Sequence, residues 1–411
     1  MTEWKDLRGF VWFDETLVSE LISRTRIVVV GMLASPHLAR WLAAGRDCNA
    51  EVLLFPSVPY RSVHPAIADL IDANGPLTVT VHPGLMIGPP VHSALQRFVP
   101  RTARARMLAR AVEDFQPDLV HAVELQHAGY LTVRALKKVA GKRRPPLSVV
   151  NWGSDVFWFQ RKPWHRRQIR NVLSEADYYS CECKRDVDLA ILHGFSGVQL
   201  IPGPNFGVAL PPSLTQPPLD LRQTIALKGY SSFVGRAHHL LFAWALINPK
   251  LDGARLEIYS ASLLVRLLSK LIELRNRSLA VITYPHGTLS SNDMWELLAR
   301  SRVYVGFSAS DGLPASLHEA LLSGAIPMQT NSACTDDLKK EGFHIIDLNS
   351  GRPFKAVKLI ADAFSQPSGH QEKVRRNTEI GTEFLRPESV AQRSESSLAA
   401  LIRRIQPHRR A

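Results

Sequence analysis

The 411-residue sequence predicts an α/β fold in which two Rossmann-like domains face a central cleft. Three observations support this prediction: short β-branched runs alternate with helical stretches, the alternation stops in a proline-rich segment, and it then resumes. Short, nearly continuous apolar runs are typical of strands in parallel sheets that helices cover on both faces.

The first half of the chain contains five predicted strands, at residues 26–30, 51–55, 77–81, 118–122 and 147–151. Residues 38–44 and 128–139 are predicted helices between them. Residues 202–218 contain six prolines, and proline rigidifies the chain and lacks a backbone donor. This segment therefore predicts an interdomain linker.

The second half repeats the pattern with predicted strands at residues 254–259, 279–283, 302–306, 325–329 and 343–347. One terminal helix is predicted at 387–405. The expected domains are residues 1–203 and 204–386, with residues 387–411 forming a helix that packs back on the first domain. Ligands of such folds bind at the carboxyl ends of the strands, in the cleft.

One motif follows the predicted strand 302–306. Gly312 permits a tight turn, Pro314 suits the first position of a helix over residues 314–323, and Gly324 is its stop signal. The N–H groups at the helix start would face the cleft and could hold a phosphate. The Glu319 carboxylate could accept two hydrogen bonds from ribose hydroxyls. The alternative is an ordinary capped helix in which Asp311 bonds to its own turn.

Asp311, seven intervening residues, Glu319, a small-residue helix, glycine and an apolar–proline strand resemble the retaining GT-B glycosyltransferases of family 4. Relatives usually have Glu where Asp311 stands. The resemblance covers most of the chain. It implies an acceptor-binding first domain, a nucleotide-sugar-binding second domain, and transfer of a sugar to an acceptor hydroxyl with retained configuration. The motif residues that it implies for catalysis or donor binding are Asp311, Gly312, Leu313, Pro314 and Glu319.

The resemblance also implies a basic pair that binds the donor diphosphate near the start of the second domain. Lys228 and Arg236 are the candidates. Guanidinium groups grip phosphate oxygens in a bidentate manner, whereas lysine acts as a point charge. For each residue the alternative is a solvated surface charge.

Three loops of the first domain resemble acceptor-side loops of the family. Ser35 and His37 follow the first strand. Gly153, Ser154 and Asp155 follow the fifth strand, and Asp155 would orient the acceptor hydroxyl or pair with an arginine. Glu124 and His127 follow the fourth strand and are catalytic candidates near the reacting carbon, while His121 is either a sugar contact or a core histidine.

No cofactor or metal is predicted, and a nucleotide diphosphate sugar would be the donor substrate. The first loop lacks the Gly-x-Gly-x-x-Gly fingerprint of dinucleotide-binding enzymes. The sequence has no histidine cluster, and Cys181 and Cys183 lack zinc-knuckle spacing. Four cysteines in a chain of this length do not predict a disulfide framework, and they fit a reducing cytoplasm.

Most of the net positive charge lies in one segment of the chain. Residues 97–170 contain 16 basic and 5 acidic residues, hence +11 of the formal net charge of +13. Phe98, Met107, Leu108 and Trp164 interleave with the cations, as on a surface that faces an anionic membrane. The alternative is a solvated face whose arginine stems cover apolar surface. Nucleic acid is not expected, because no binding motif accompanies the basic run.

The sequence has no signal peptide and no membrane-spanning apolar stretch, which predicts a cytoplasmic protein or one peripheral to the inner face of the membrane. The resemblance implies bacterial glycan, glycolipid or glycosylated-metabolite synthesis, with a carbohydrate, lipid-linked or small-molecule acceptor. One alternative is a sugar-nucleotide 2-epimerase of the same architecture. Another is a non-catalytic protein that binds anionic surfaces.

Overall fold

The computed structural model describes residues 24–84, 101–139, 144–204, 207–395 and 397–405. Two parallel sheets organise this part of the chain. The first sheet has seven strands in the order β3-β2-β1-β4-β5-β6-β7. Their bounds are β1 Thr25–Gly31, β2 Ala50–Pro56, β3 Leu77–Val81, β4 Leu119–Val123, β5 Leu147–Asn151, β6 Tyr178–Cys181 and β7 Val198–Gln199.

The second sheet has six strands in the order β10-β9-β8-β11-β12-β13. Their bounds are β8 Thr224–Lys228, β9 Arg255–Ala261, β10 Ala280–Pro285, β11 Ser301–Gly306, β12 Ile326–Thr330 and β13 Ile346–Leu348. The predicted α/β fold of two Rossmann-like domains is confirmed.

Helices connect the strands and cover the sheets. Those before the linker are α1 Pro36–Ala43, α2 Pro65–Asp72, α3 Arg101–Phe115, α4 Tyr130–Leu136, α5 Ser154–Phe157, α6 Pro163–Leu173 and α7 Lys184–Leu192, with a π-helical turn at Leu125–Gly129. Those after it are α8 Ala237–Ile247, α9 Leu263–Arg275, α10 Ser291–Ala299, α11 Ala315–Leu322, α12 Thr335–Lys340, α13 Pro353–Ser365, α14 Gln371–Phe384, α15 Pro387–Arg393 and α16 Leu398–Ile405.

Strand order reverses once in each sheet, between β1 and β4 and between β8 and β11. Open parallel sheets bind ligands at such switch points, beyond the carboxyl ends of the strands. The loops that follow β1, β4 and β11 contain Ser35, Glu124 and Asp311, and Lys228 is the last residue of β8. The topology therefore brings most of the sequence-predicted site residues to the two switch points.

The single terminal helix predicted at 387–405 is wrong, because the structure has α15 and α16 in its place. Between them the chain bonds to the first domain: Glu395 N–H donates to the Ile201 carbonyl at 3.2 Å, and Ile201 N–H donates to the Glu395 carboxylate at 3.0 Å. A continuous helix would keep the Glu395 N–H for its own ladder. Helix α16 then packs into the first-domain core through Leu398, Leu401, Ile402 and Ile405.

Much of the expected basic and apolar surface is differently placed. Leu108 is fully buried and Met107 packs against the first-domain core, so neither side chain belongs to an exposed apolar surface. Trp164 is exposed among the cations of α6. Residues 97–100, with Phe98, and residues 140–143 lie outside the described residues. In the part of the chain that the structure describes, no helix has the length and apolar character needed to cross a membrane.

Candidate functional site

Lys228 and Asp311 form the centre of the site in the second domain. Lys228 ends β8, and its Nζ donates to Asp311 Oδ2 at 3.1 Å. Both side chains are largely buried, so Lys228 is not a solvated surface charge. Burial opposes the ammonium charge, but Asp311 and the phenols of Tyr304 and Tyr230 outweigh burial and raise the pKa of Lys228.

Asp311 also accepts from the Gly312 N–H at 3.1 Å, so it caps its own turn as well as binding Lys228. Helix α11 begins one residue later than predicted, with Pro314 at the N-cap. It ends at Leu322, one residue before the predicted end, and the expected stop signal Gly324 follows with a φ of +66°, in the left-handed region that glycine adopts without strain.

Glu319 lies on α11 at the interface of the two domains. Its carboxylate is buried and lies 3.8 Å from the guanidinium of Arg40, which belongs to α1 of the first domain. Burial raises the pKa of Glu319 to about 7, while the charges of Arg40 and Lys228 oppose this increase. Near neutral pH the carboxyl group therefore exchanges between its donor and acceptor forms.

His37 and Ser35 approach the same region from the first domain. Ser35 is the N-cap of α1, and its hydroxyl accepts from the His37 N–H at 3.2 Å. The His37 ring lies 5.4 Å from the ring of Trp152. The His37 side chain has an exposed part, and partial desolvation with the charges of Arg40 and Lys228 lowers its pKa below the ordinary value. His37 is thus neutral at physiological pH.

Arg236 lies beside the cleft and faces the first domain. Its guanidinium lies 5.7 Å from the ring centroid of Trp158, near the end of α5, and donates to the Ser232 carbonyl at 3.3 Å. Such cation–π contacts are weak at accessible sites. The guanidinium therefore has little to prevent it from turning toward an anionic ligand.

Two acidic candidates of the first domain, Glu124 and Asp155, accept hydrogen bonds from backbone N–H groups of first-domain loops. Glu124 caps the π-helical turn, and its carboxylate accepts from the N–H groups of His127 and Ala128 at 2.9 and 2.6 Å. Asp155 accepts from the N–H groups of Leu125 and Trp152, both at 3.1 Å, and does not pair with an arginine in any described contact. The bond from Leu125 to Asp155 joins the loops after β4 and β5.

Burial dominates the chemistry of both acids. It raises the pKa of Glu124 against the N–H donors, and burial together with the charge of Glu124 raises the pKa of Asp155. Near them, His127 is exposed and Ser154 is half-buried. The structure does not bring Glu124 or Asp155 into contact with Lys228 or Asp311.

His121 is a core histidine. It stacks on Trp41 with ring centroids 4.7 Å apart, and its Nδ1 lies 3.0 Å from the Ser148 hydroxyl. Burial lowers its pKa to about 3. A sugar contact would need this ring to leave the sheet.

The loops of the two domains touch at Gly153 and Gly312. A Cβ atom added to Gly153, whose φ is +54°, would lie 2.2 Å from the Gly312 nitrogen. On its other side, a Cβ added to Gly312 would lie 1.9 Å from the carboxylate of Glu182. Position 153 therefore requires glycine, because the clash there is with backbone, whereas a side chain at position 312 would have to displace the Glu182 carboxylate.

Glu182 occupies part of the expected phosphate position. Its carboxylate accepts from the Leu313 N–H at 2.9 Å, so that donor is not open to the cleft. Burial raises the pKa of Glu182 to about 8. A diphosphate that used the Leu313 N–H would have to displace Glu182.

The residues after Glu182 also bind the second domain. Arg185 donates to the carbonyl groups of Gly153, Asp311 and Ser332 at 3.0, 3.2 and 2.8 Å. The Lys184 N–H donates to the Asp337 carboxylate at 2.8 Å. We call residues 182–185 the interdomain clamp, because they hold the first domain against two loops of the second.

A disulfide bond joins Cys183 of this clamp to Cys334, with Cα atoms 5.9 Å apart. The sequence did not predict this bond, although one bond is not a framework. The two cysteines are 151 residues apart, in different domains, so sequence spacing did not reveal them. In the described part of the chain, Cys48 and Cys181 are free.

Sequence reasoning also missed Arg40, Glu182 and Arg185. The available signals were positional: Arg40 lies three residues after His37, hence on one helical face with it, and the clamp follows a strand. Among the described residues, one group with atoms of metal-ligand type lies close together, formed by Cys183, Asp186 and Cys334, but the disulfide joins its two sulfur atoms. Arg185 binds the Asp186 carboxylate at 2.8 Å.

Two cavities flank the start of α11. One of about 600 Å³ has Arg40 and Glu319 in its wall, together with Trp295 and residues 207–209. The other, of about 350 Å³, is lined by the clamp, Leu313 and Phe384. Ligand pockets commonly have volumes in the range of about 300–1,000 Å³. The Glu319 cavity is large enough for a nucleoside.

No protein-family model matches the sequence, and no curated protein is detectably similar to it. Solved structures do resemble the fold. Sucrose-phosphate synthase from Thermosynechococcus elongatus has a TM-score of 0.67 at 12% identity, over 94% of this chain and 100% of that one. HepE from Anabaena, in complex with UDP and glucose, has a TM-score of 0.63 at 14% identity, over 90% and 98%.

A protein from Listeria monocytogenes assigned as a UDP-N-acetylglucosamine 2-epimerase is also similar, with a TM-score of 0.55 at 12% identity, over 88% of this chain and 94% of that one. At such low identities these likenesses concern the fold, because one fold supports several chemistries. The chain has the GT-B fold of two Rossmann-like domains.

Proposed function

We propose that the protein is a glycosyltransferase that moves a sugar from a nucleotide diphosphate sugar to an acceptor hydroxyl with retained configuration. The observation that carries this proposal is the arrangement of Lys228, Asp311 and Glu319 at the β8/β11 switch point, opposite His37 and Arg40. Uridine diphosphate sugars are the first donors to test, since HepE binds UDP and glucose.

The donor diphosphate would bind near Lys228, Arg236 and Gly312. As the bond between the anomeric carbon and the diphosphate oxygen breaks, negative charge grows on that oxygen, and preorganised cations stabilise it. Glu319, ionised, would accept hydrogen bonds from the ribose. Glu182 binds the Leu313 N–H, and Asp311 binds Lys228 and the Gly312 N–H. The donor would use these same groups, so its binding would displace the two carboxylates.

The acceptor oxygen bonds to the same carbon on the face that the diphosphate leaves, and its proton passes to the departing phosphate oxygen. This route needs no carboxylate base in the first domain. It agrees with the inward position of Glu124 and Asp155, which then shape the acceptor side by holding the loops of His127 and Ser154. Neutral His37 could orient the transferred sugar.

The decisive experiment combines binding and turnover. A panel of nucleotide diphosphate sugars is screened by thermal shift, since a bound ligand stabilises the fold. Release of nucleoside diphosphate is then measured with and without acceptors. We expect Lys228→Ala to reduce donor affinity at least about tenfold, while Lys250→Ala, an exposed lysine in the same domain, leaves it unchanged. No binding by any sugar nucleotide would contradict the proposal.

The epimerase is the second candidate, because the Listeria protein shares the fold. It would act on the donor without an acceptor. Incubation with donor alone separates the two functions by NMR: a 2-epimerised sugar nucleotide contradicts transfer, whereas an acceptor-dependent product with unchanged anomeric configuration supports it. Turnover that persists in chelator supports a metal-independent reaction.

The acceptor is proposed to be a carbohydrate, a lipid-linked sugar or a small molecule. The cations of α6, among them the exposed Arg166 and Arg167 beside Trp164, would attract an anionic acceptor or a membrane that presents it. Arg166→Ala/Arg167→Ala should then raise KM for an anionic acceptor and leave KM for the donor unchanged. Equal KM values for the acceptor would contradict this role.

A further inference from the structure

Helix α9 presents leucines to solvent. Five leucine side chains are 41% to 77% exposed, namely Leu263, Leu264, Leu267, Leu271 and Leu274. The opposite face, with Val265, Ser269 and Ile272, is buried against the second domain. At about 100° per residue, the five leucines form one continuous stripe, which we call the leucine stripe.

The neighbouring helix α8 also exposes apolar side chains. Phe242 and Leu246 on α8 are 54% and 53% exposed, and α8 packs beside α9. Single exposed apolar residues are common, but a continuous stripe of five on one helix is typical of an interaction surface.

Cations flank the leucine stripe on both sides. Helical spacing places Arg266 and Lys270 along one edge and Arg275 along the other. Glu273 is the one acidic residue in α9, against three basic ones. The surface therefore combines outward leucines with a net positive border.

We propose that α9 docks on an anionic lipid surface, with the leucine stripe at the boundary between headgroups and acyl chains. Interfacial helices bind in this way, and their basic residues contact lipid phosphates. Helix α9 has 13 residues, so it would lie in the plane of the interface rather than cross it.

The charges favour a lipid over a second copy of this chain. A two-fold contact through the leucine stripe would bring together two borders of the same net positive charge, and like charges across an interface are unfavourable. An anionic lipid layer instead neutralises this border. The site belongs to the second domain, away from residues 97–170, and does not depend on the proposed sugar transfer.

The test uses the full chain with vesicles of phosphatidylcholine mixed with phosphatidylglycerol, in low salt, measured by co-sedimentation. Leu267→Ser/Leu271→Ser should reduce binding at least about tenfold, because each leucine contributes apolar area. The matched control is Ile191→Ser/Leu192→Ser on α7, whose side chains are 57% and 70% exposed. It should bind like the wild type.

A second variant tests the charges. Lys270→Gln/Arg275→Gln should weaken binding to the mixed vesicles, and all forms should bind phosphatidylcholine vesicles more weakly. Unchanged unfolding temperatures would verify that the substitutions leave the fold intact, as their exposure predicts.

Two outcomes overturn the proposal. One is that the wild type does not bind the mixed vesicles, or that Leu267→Ser/Leu271→Ser binds them as well as the control. The other is that light scattering shows a wild-type dimer that this variant dissociates, which would assign the stripe to self-association. Neither readout uses a sugar nucleotide, so failure here and failure of the proposed function are distinguishable.

Discussion

Glu319 is a buried carboxyl group whose charge state changes near neutral pH. Its pKa of about 7 exceeds the ordinary value of 4.5 because burial disfavours the ionised form. The folded protein therefore binds more protons at this site than the unfolded chain does between those values. By linkage, this group contributes less stability as pH rises through that interval.

We expect Glu319→Gln to remove that contribution. Relative to the variant, the wild type should lose at most about 3 kcal/mol of unfolding free energy between pH 4.5 and pH 8. The measurement is urea unfolding at both pH values, with the exposed Glu273→Gln as control. Parallel pH profiles of wild type and Glu319→Gln would contradict the buried, raised-pKa carboxyl.

Gly153 lets the loops of the two domains approach because it has no side chain. Its φ of +54° disfavours other residues, and a Cβ would lie 2.2 Å from the Gly312 backbone. We expect Gly153→Ala to cost more than about 1 kcal/mol of stability and to weaken donor binding by moving the Gly312 loop. Gly75→Ala, where a Cβ meets no atom within 4 Å, is the control for thermal unfolding and calorimetry. Equal effects of the two variants would refute the contact.

At the scale of elements, the interdomain clamp and its disulfide form contacts between the domains that the sequence could not predict. The Cys183–Cys334 bond closes a long loop, and such bonds typically stabilise by about 2–4 kcal/mol. We expect Cys183→Ser/Cys334→Ser to lower the urea midpoint and to make it insensitive to reductant. Cys48→Ser should unfold like the wild type. A wild-type midpoint that reductant leaves unchanged would show that the bond does not form.

The strands that the sequence predicted are those with β-branched, apolar runs. Strand β6 has the sequence Tyr-Tyr-Ser-Cys and β8 has Thr-Ile-Ala-Leu-Lys beside the prolines, and neither was predicted. Their burial between other strands, rather than local pattern, makes them strands. Because β6 was missed, the residues that follow it were not recognised as candidates for the cleft.

The same distinction explains how much of the site was predictable. The segment from Asp311 to Gly324 was found because its turn, helix and stop signal are local in sequence. The pairing of Arg40 with Glu319 spans two domains, and only the packed structure reveals it. Acidic residues that bind backbone N–H groups of the first-domain loops, such as Glu124 and Asp155, have no sequence signal that distinguishes them from residues facing a cleft.

At the scale of the whole molecule, the chain crosses between its domains more than once. After the second sheet it returns through Glu395 to Ile201, and α16 completes the first-domain core. Leu398 lies within 2.6 Å of where a Cβ on Gly45 would be, so the helix sits closely on the end of α1. The first-domain core therefore depends on residues of α16, which follow the second domain in the sequence.

This dependence gives a prediction for Leu401, which is buried in the first-domain core although it follows the second domain in sequence. Leu401→Ala should cost about 2–5 kcal/mol, since truncating a buried leucine loses transfer free energy and leaves a cavity. Hydrogen exchange should accelerate in α1 and less in α8, because the damage lies in the first domain. Arg403→Ala, exposed on the same helix, is the control. Acceleration confined to α8, or equal in both helices, would show that α16 does not stabilise the first domain selectively.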